Sequence, residues 1–330
     1  MDRVFVTRRI PREALDLLEP ACAVDLWDDD LPPPVEVLRE RVRGATGLLC
    51  LLTDPVDEAL LDAAGPGLRV VSQMAVGVDN IDLAACTRRG IAVGHTPGVL
   101  TETTADLAVA LLLAAARRLP EAQAAVRAGE WTTWKPLWLA GRDVHGSTVG
   151  IVGLGRIGRA VARRLRGFGC RLLYTGPREV PEARGLGARY VDLGTLLAES
   201  DFVTLHCPLT PQTRHLIDAR ALALMKPTAI LVNASRGAVV DTGALHEALA
   251  AGRIAGAALD VTDPEPLPPD HPLLALPNCL VVPHIGSASV ATRTRMAVMA
   301  AENLLAGLRG EPLPHCANPE VYRSREGTGR

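Results

Sequence analysis

Three polar residues in the second half of the chain each follow a short apolar run, and their types suit acid–base chemistry on a small anion. They are Arg236, Glu265 and His284. The runs before them have the length and composition of buried strands. Ligands of open parallel sheets bind beyond the carboxyl ends of the strands, so we expect the three side chains to converge at one edge of a sheet.

Acid–base chemistry on a small carboxylic acid needs a cation for the carboxylate, a proton donor for an oxygen, and a group that keeps this donor protonated. Arg236 suits the first need because a guanidinium pairs with a carboxylate bidentately, each charged hydrogen bond giving roughly 1.5 to 3 kcal/mol. His284 suits the second because histidine has a reference pKa of about 6.5, and Glu265 suits the third. Taken singly, Arg236 also fits a surface charge, Glu265 a solvated carboxylate and His284 a turn cap.

A glycine-rich turn strengthens the catalytic interpretation. Residues 148–158 read as an apolar strand followed by Gly153, Gly155 and Gly158. In a dinucleotide site these glycines permit a tight turn, close approach of a pyrophosphate, and close packing of the next helix on the sheet. The helical pattern after Gly158 fits this arrangement. We therefore expect the turn to bind a dinucleotide through Gly153, Leu154, Gly155, Arg156, Ile157 and Gly158.

Two series of β-rich and helical segments position these residues. The expected strands of the first series are 4–7, 23–27, 47–52, 68–74 and 91–94, with helices near 11–19, 35–43, 57–63 and 81–88. The second series begins at Thr148, with further strands near 171–175, 201–206, 229–233, 255–260 and 279–282, and ends in a helix over 288–308. A helix over 101–119 separates them, opened by threonines suited to capping it. This alternation predicts parallel sheets with helices on both faces.

Composition favours a small-molecule protein of two domains. The chain has 330 residues, of which 48% are hydrophobic, and a net charge of −2, so neither nucleic acid nor a membrane is an expected partner. Seven scattered cysteines without a CxxC pair indicate a reducing compartment and no metal site. The first ten residues lack the apolar core of a signal peptide, which favours a cytoplasmic location. The end of the chain, 324–330, is expected to fray.

The chain resembles the D-isomer-specific 2-hydroxyacid dehydrogenases over nearly its full length, and most closely their glyoxylate reductase/hydroxypyruvate reductase branch. Besides the glycine turn, the segments that carry the resemblance are 4–11, 131–139, 259–267, 284–287 and 303–312. The resemblance implies a flavodoxin-like substrate domain made of 1–99 and 288–330. It also implies a Rossmann dinucleotide-binding domain, 100–287, inserted into that discontinuous substrate domain.

The resemblance further implies NAD(P)H-dependent reduction of glyoxylate to glycolate and of hydroxypyruvate to D-glycerate. It makes Arg236 the ligand of the substrate carboxylate, His284 the acid/base and Glu265 its partner, with amides of Val76 and Gly77 in the other domain also receiving the carboxylate. Ser287 is expected beside the substrate. Other expected cofactor contacts are Thr104, Thr175, Gly176, Arg178, Cys207, Pro208, Ala234, Arg236, Asp260, His284 and Gly286.

The choice between NADPH and NADH depends on the residues after the strand at 171–175. An NAD enzyme normally places Asp or Glu there to hold the ribose hydroxyls, whereas this chain has Thr175, Gly176 and, two residues later, Arg178. NADPH is therefore favoured. Glu179 leaves NADH use open, because a small backbone shift could bring its carboxylate to the ribose.

Three of the four tryptophans, Trp131, Trp134 and Trp138, fall in one short segment of a chain that is only 3% aromatic. Such concentration suggests an interface anchor, although a plug over the domain's own helices would use the same residues. We expect a homodimer in which Trp134 of one protomer bounds the substrate pocket of the other.

Two other functions stay open. One is a related dehydrogenase of the D-lactate or phosphoglycerate type, although no cationic cluster suited to a phosphorylated substrate stands out. The other is a dinucleotide-sensing binding protein like the corepressors that resemble this family. Turnover with a panel of 2-oxo acids separates these functions.

Overall fold

The structure is a computed structural model that describes residues 1–323. The fraying expected for 324–330 lies outside the described residues. The chain forms two compact units, one made of Met1–Leu100 and the segment from Ala288 onward, the other of Thr101–Ser287. Both are built on parallel sheets, which confirms the α/β fold class.

The first unit contains a five-stranded parallel sheet in the order β2-β1-β3-β4-β5. Its strands are β1 Arg3–Val6, β2 Ala23–Leu26, β3 Gly47–Cys50, β4 Val70–Gln73 and β5 Ala92–Gly94, and its first four helices are α1 Arg12–Leu18, α2 Val35–Arg41, α3 Glu58–Ala64 and α4 Leu83–Arg88. All residues of β3 and β4 are buried. Continuous burial explains why these strands are apolar on both faces rather than alternating.

The second unit contains a seven-stranded sheet. Its strands are β6 Thr148–Val152, β7 Arg171–Thr175, β8 Ala188–Tyr190, β9 Phe202–Leu205, β10 Ile230–Asn233, β11 Gly256–Leu259 and β12 Cys279–Val281. They lie in the order β12-β11-β10-β9-β6-β7-β8, with every pair parallel. The helices are α5 Thr101–Ala116, α6 Leu119–Arg127, α7 Arg156–Arg166, α8 Ala183–Leu186, α9 Leu193–Glu199, α10 Ala219–Leu224 and α11 Thr242–Ala250.

The last helix, α12 (Val290–Leu308), returns to the first unit. The side chain of Ser289 caps it by accepting a hydrogen bond from the amide of Thr292, as expected for serine at this position. A side-chain carbon added at Gly307 would lie 2.6 Å from the side chain of Val70 on β4. Glycine therefore allows the helix to pack closely on the sheet.

The region between the two predicted series differs from expectation. The helix predicted over 101–119 ends at Ala116, because Arg118 adopts a left-handed backbone with φ of 52°. A second helix, α6, begins at Leu119 with Pro120 in its first turn, where proline's missing amide is tolerated. The edge strand β8 was not predicted, since its three residues contain no apolar run.

Candidate active site

The carboxyl ends of five strands of the second unit meet at one edge of the sheet. Register pairs Val152 with Leu205, Leu205 with Asn233, Asn233 with Leu259, and Leu259 with Val281. The segments that follow carry Gly153, Cys207, Arg236, Glu265 and His284. Side chains distant along the chain thus leave the sheet at a common edge, as the sequence predicts.

His284 and Glu265 are directly bonded. Nδ1 of the imidazole lies 2.6 Å from Oε1 of the carboxylate, and the two side chains are 28% and 33% exposed. The other carboxylate oxygen accepts from the amide of Thr262 at 3.2 Å. Partial burial raises the pKa of Glu265, but the hydrogen bond and charge of His284 outweigh this and hold that pKa below its usual value. Since Nδ1 is engaged, Nε2 is the nitrogen left to exchange a proton with a ligand.

The turn that presents His284 is fixed by Asp260, which follows β11. His284 has a left-handed backbone with φ of 51°, a conformation that side chains other than glycine adopt at a cost. The amide of His284 donates to the carbonyl of Asp260 at 2.9 Å. The buried carboxylate of Asp260 accepts from the amides of Ile285 at 2.6 Å and Gly286 at 2.9 Å. These three bonds offset the strain and set the direction of the imidazole.

Burial raises the pKa of Asp260, while its bonds to the amides of Ile285 and Gly286 lower it. A side-chain carbon at Gly286 would lie 2.9 Å from Oδ2 of Asp260, so only glycine leaves room for this contact. The carbonyl of Gly286 accepts from the hydroxyl of Thr104 at 3.1 Å. Thr104, expected from the sequence as a cofactor contact and as one of the threonines suited to capping α5, has a hydroxyl that ties the helix to the turn after His284.

Arg236 lies in a turn shaped by Asn233, the last residue of β10. The Asn233 side chain accepts from the amide of Ser235 at 3.0 Å and donates to the carbonyl of Arg236 at 2.9 Å. The guanidinium donates to the carbonyl of Ser235 at 2.9 Å. Its charge is close enough to Glu265 to contribute to the lowered pKa of that carboxyl. The structure thus brings together the three residues expected from the sequence.

Asn233 and Gly237 were missed by the sequence reasoning. A side-chain carbon at Gly237 would lie 1.8 Å from the carbonyl oxygen of Thr262, so the Arg236 turn touches the backbone of the loop that leads to Glu265. For Asn233 the available signal was an Asn two residues before a Ser at a strand end, a pattern that favours a side-chain-to-backbone turn. For Gly237 only its position directly after Arg236 pointed to a close contact.

The glycine turn has the shape of a phosphate cradle. Gly153 has φ of 92° and lies against the backbone of Cys207, and a side-chain carbon at Gly158 would be 2.2 Å from the carbonyl of Gly153. At Gly155, by contrast, an added carbon would meet nothing within 4 Å. The first helical bond of α7 runs from the amide of Arg159 to the carbonyl of Gly155, which leaves the preceding amides for an anion. The turn therefore fits a dinucleotide pyrophosphate.

The remaining expected cofactor residues surround this turn. The amide of Gly153 donates to the carbonyl of Thr175 at 2.9 Å, and the hydroxyl of Tyr190 donates to the carbonyl of Gly176 at 2.9 Å. Arg178 is exposed in the loop after β7. Other expected residues at this edge have the following positions: Leu154 is buried within the turn, Arg156 and Ile157 begin α7, Cys207 and Pro208 follow β9, Ala234 follows β10, and Ser287 follows Gly286.

His206 also lies beside the glycine turn. Its Nε2 is 2.8 Å from the hydroxyl of Thr204, and its Nδ1 is buried with no partner in the part of the chain that the structure describes. Burial lowers the pKa of His206 to about 4, so the ring is neutral at pH 7.

Three further substrate contacts expected from the sequence belong to other segments of the chain. Val76 and Gly77 belong to the first unit, in the turn after β4. Trp134 lies between α6 and β6 and is 81% exposed, so it does not pack against the three catalytic candidates of its own unit. Nearby, the ammonium of Lys135 sits 4.6 Å from the ring centre of Trp138.

Within residues 1–323, no group of three or more His, Cys, Asp or Glu side chains is arranged to hold a metal ion. The seven cysteines are free thiols. Across the same residues, no helix combines the length and apolarity needed to traverse a bilayer.

Comparison with known proteins gives consistent matches. Residues 109–286 match the NAD-binding domain model of the D-isomer-specific 2-hydroxyacid dehydrogenases. The chain is 55% identical over 316 residues to glyoxylate reductase/hydroxypyruvate reductase of Homo sapiens, covering 94% of this chain and 96% of that protein. It is 51% identical to the TT0316 protein of Thermus thermophilus, with a TM-score of 0.90 and coverage of 96% and 99%.

A further solved structure, NADPH-dependent glyoxylate/hydroxypyruvate reductase of Sinorhizobium meliloti in complex with NADP and malonate, is 35% identical with a TM-score of 0.86. The match covers 96% of this chain and 97% of that one. The glycine turn, Arg236, Glu265 and His284 all fall inside the segment that the family model matches. The resemblance stated from the sequence is thereby confirmed: the chain belongs to the D-isomer-specific 2-hydroxyacid dehydrogenase family.

Proposed function

We propose that this protein reduces glyoxylate to glycolate and hydroxypyruvate to D-glycerate with a reduced nicotinamide dinucleotide. The observation that carries the proposal is the 2.6 Å bond between His284 and Glu265 at the sheet edge that also holds the glycine turn. The identity of 55% to a glyoxylate reductase/hydroxypyruvate reductase over 94% of the chain supports the choice of substrates.

In the proposed mechanism, Arg236 binds the substrate carboxylate through its planar pair of donors. Amides of Val76 and Gly77 contribute further hydrogen bonds to the same carboxylate. When bound, the reduced nicotinamide supplies the hydride that reaches the carbonyl carbon of the substrate. His284 gives the proton on Nε2 to the carbonyl oxygen as negative charge develops there.

Glu265 holds the imidazole through Nδ1 and places a negative charge beside the ring that transfers the proton. The carboxylate stays ionised at neutral pH, which the lowered pKa of Glu265 supports. Asp260 acts on the same ring indirectly, because its carboxylate binds the two amides that follow His284. Each of the two carboxylates therefore has a separate task, one on the ring and one on its backbone.

The glycine turn at Gly153, Gly155 and Gly158 would hold the cofactor, with the free amides that begin α7 available to its pyrophosphate. We assign NADPH as the preferred form and NADH as a possible one. The exposed Arg178 supports this preference because a guanidinium pairs well with a 2′-phosphate. The relative from Sinorhizobium meliloti, which is described as NADPH-dependent, is consistent with it.

We also propose a homodimer in the cytoplasm, with the segment around Trp134 anchoring the interface and bounding the partner's substrate pocket. The support is the exposure of large apolar side chains in this segment: Trp131 is 66%, Trp134 81% and Leu137 86% exposed. Rings of this size left in water are costly unless another surface covers them.

The function is tested by the oxidation of NADPH and NADH with glyoxylate, hydroxypyruvate, pyruvate and phosphohydroxypyruvate as acceptors. We expect the highest kcat/KM with the first two acids. His284→Ala should lower kcat by about a hundred- to ten-thousand-fold while nucleotide affinity stays near wild type, and His246→Ala serves as a control on the α11 helix. Absence of turnover with every acid would favour a dinucleotide sensor, and a preference for pyruvate or phosphohydroxypyruvate would favour a related dehydrogenase.

A further inference from the structure

The turn after β4 in the first unit has three consecutive carbonyls, each of which accepts a hydrogen bond from a donor outside the turn. The carbonyl of Ala75 accepts from the amide of Thr96 at 2.9 Å. The carbonyl of Val76 accepts from Nδ1 of His95 at 2.9 Å. The carbonyl of Gly77 accepts from the side-chain amide of Gln73 at 3.1 Å.

Holding these carbonyls also sets the direction of the next amides. In a trans peptide the C=O and N–H groups lie in one plane and point in opposite directions. The Thr96 bond therefore turns the Val76 amide away from Thr96, and the His95 bond turns the Gly77 amide away from the imidazole. Among residues 1–323, neither amide donates to an acceptor. Within these residues both amides are therefore available to donate to an anion.

The two side-chain donors differ in how they are supported. Gln73 is fully buried, and its amide also bonds to Asn80 at 2.5 Å while its oxygen accepts from Cys50 at 3.1 Å. Asn80 in turn donates to the carbonyls of Leu51 and Asp54. Gln73 is therefore part of a rigid polar network, whereas His95 is only partly buried and its ring, among residues 1–323, makes one bond, to the turn itself.

We propose that His95 and Gln73 are positioning residues for the substrate carboxylate, acting through the carbonyls of Val76 and Gly77 to aim the backbone amides of this turn. The inference rests on the proposed function, in which those amides bind the carboxylate. A carbonyl oxygen only accepts, so His95 must carry hydrogen on Nδ1, and a residue without a donor there leaves the Val76–Gly77 peptide free to rotate. The amide of Gly77 then no longer faces the anion.

The test compares His95→Leu with His95→Asn, whose side-chain nitrogen occupies nearly the position of Nδ1. For His95→Leu we expect KM for glyoxylate to rise roughly tenfold, the effect of losing one hydrogen bond to a charged group. The kcat and the KM for NADPH should stay within about threefold of wild type, the pattern of lost uniform binding. His95→Asn should restore most of the affinity. His246→Leu, a partly buried histidine on α11 of the other unit, is the control.

A second readout does not depend on turnover. The affinity of the NADP⁺-saturated protein for oxalate, measured by calorimetry, should fall in His95→Leu and recover in His95→Asn. Gln73→Met, which removes the donor to Gly77 while keeping the side-chain length, should also weaken oxalate. It keeps the proposal testable if His95→Leu does not fold.

Equal KM and oxalate affinity in wild type and His95→Leu would overturn the proposal, as would His95→Asn behaving like His95→Leu. If the wild-type protein binds oxalate but reduces none of the four acids, the proposed function is refuted. The positioning role is then decided by the oxalate affinities of wild type, His95→Leu and His95→Asn. Wild-type protein that neither turns over nor binds oxalate would refute both.

Discussion

Gly237→Ala tests whether the contact between the turn that carries Arg236 and the loop that leads to Glu265 sets the catalytic geometry. The new methyl carbon would lie 1.8 Å from the carbonyl oxygen and 2.0 Å from the carbonyl carbon of Thr262, whereas ordinary contact begins at 3.4 Å. The obstacle is backbone and cannot rotate aside. One of the two segments must therefore move by roughly 1.6 Å, the difference between 3.4 and 1.8 Å, and Arg236 and Glu265 are attached to these segments.

A displacement of about 1 Å at a catalytic group can cost on the order of a hundredfold in rate, so we expect kcat/KM for glyoxylate to fall at least that much. This corresponds to about 2.7 kcal/mol of lost transition-state stabilisation. Overpacking costs about 1 to 3 kcal/mol of stability, so circular dichroism and a melting curve must show that the variant is folded. Gly185→Ala in α8, where an added carbon meets nothing within 4 Å, is the matched control. A folded Gly237→Ala protein with kcat/KM within about threefold of wild type would refute the reasoning.

Three other predictions concern the cofactor, the interface and the acid range. Arg178→Ala should raise KM for NADPH about tenfold and leave KM for NADH unchanged, since only the 2′-phosphate needs that cation; equal changes for both nucleotides in steady-state kinetics would count against the assignment. Trp134→Ala should change KM or the preference between glyoxylate and hydroxypyruvate, and sizing by light scattering reports the dimer; unchanged kinetics with an unchanged dimer would rule out the proposed role. The pKa of Glu265 is lower in the folded state than its ordinary value of 4.5. The ionised carboxylate therefore stabilises the folded state fully above pH 4.5. This contribution is lost as the pH falls through the pKa that Glu265 has in the folded state. Chemical unfolding at about pH 6 and about pH 3 should therefore show a larger acid-induced loss in wild type than in Glu265→Gln.

The sequence was sufficient for the architecture and for the residue types of the site. Buried strands of a parallel sheet are continuous apolar runs, so β3, β4, β9 and β10 could be located closely. Residues after such strands must leave the sheet at its carboxyl edge, and this is why Arg236, Glu265 and His284 could be grouped without coordinates. The short edge strand β8 and the break at Arg118 left no comparable pattern, because a left-handed residue other than glycine has no strong sequence signature.

Residues that support the site from a distance were harder to find. Gly237 and His95 act through contacts with backbone distant along the chain, and no local periodicity reports such contacts. Thr104 shows the same difficulty, since a threonine in the first turn of a helix usually suggests a cap, whereas its hydroxyl bonds to the carbonyl of Gly286, 182 residues later. The identity of a donor can be read from the sequence, but its acceptor depends on tertiary packing.

Asp260 explains why the two carboxylates of this site are not interchangeable. Burial raises the pKa of Asp260, so keeping it ionised carries a desolvation cost that an exposed carboxylate would not have. Its bonds to the amides of Ile285 and Gly286 offset part of that cost, and they also hold His284 in a backbone conformation it would otherwise leave. Glu265 is also partly buried, but the hydrogen bond and charge of the imidazole outweigh the effect of burial on the pKa of Glu265. The ionisation of Glu265 is therefore set by its contact with that ring. Removing the Glu265 carboxylate therefore chiefly affects proton transfer by His284, whereas removing the Asp260 carboxylate affects the position of the imidazole ring.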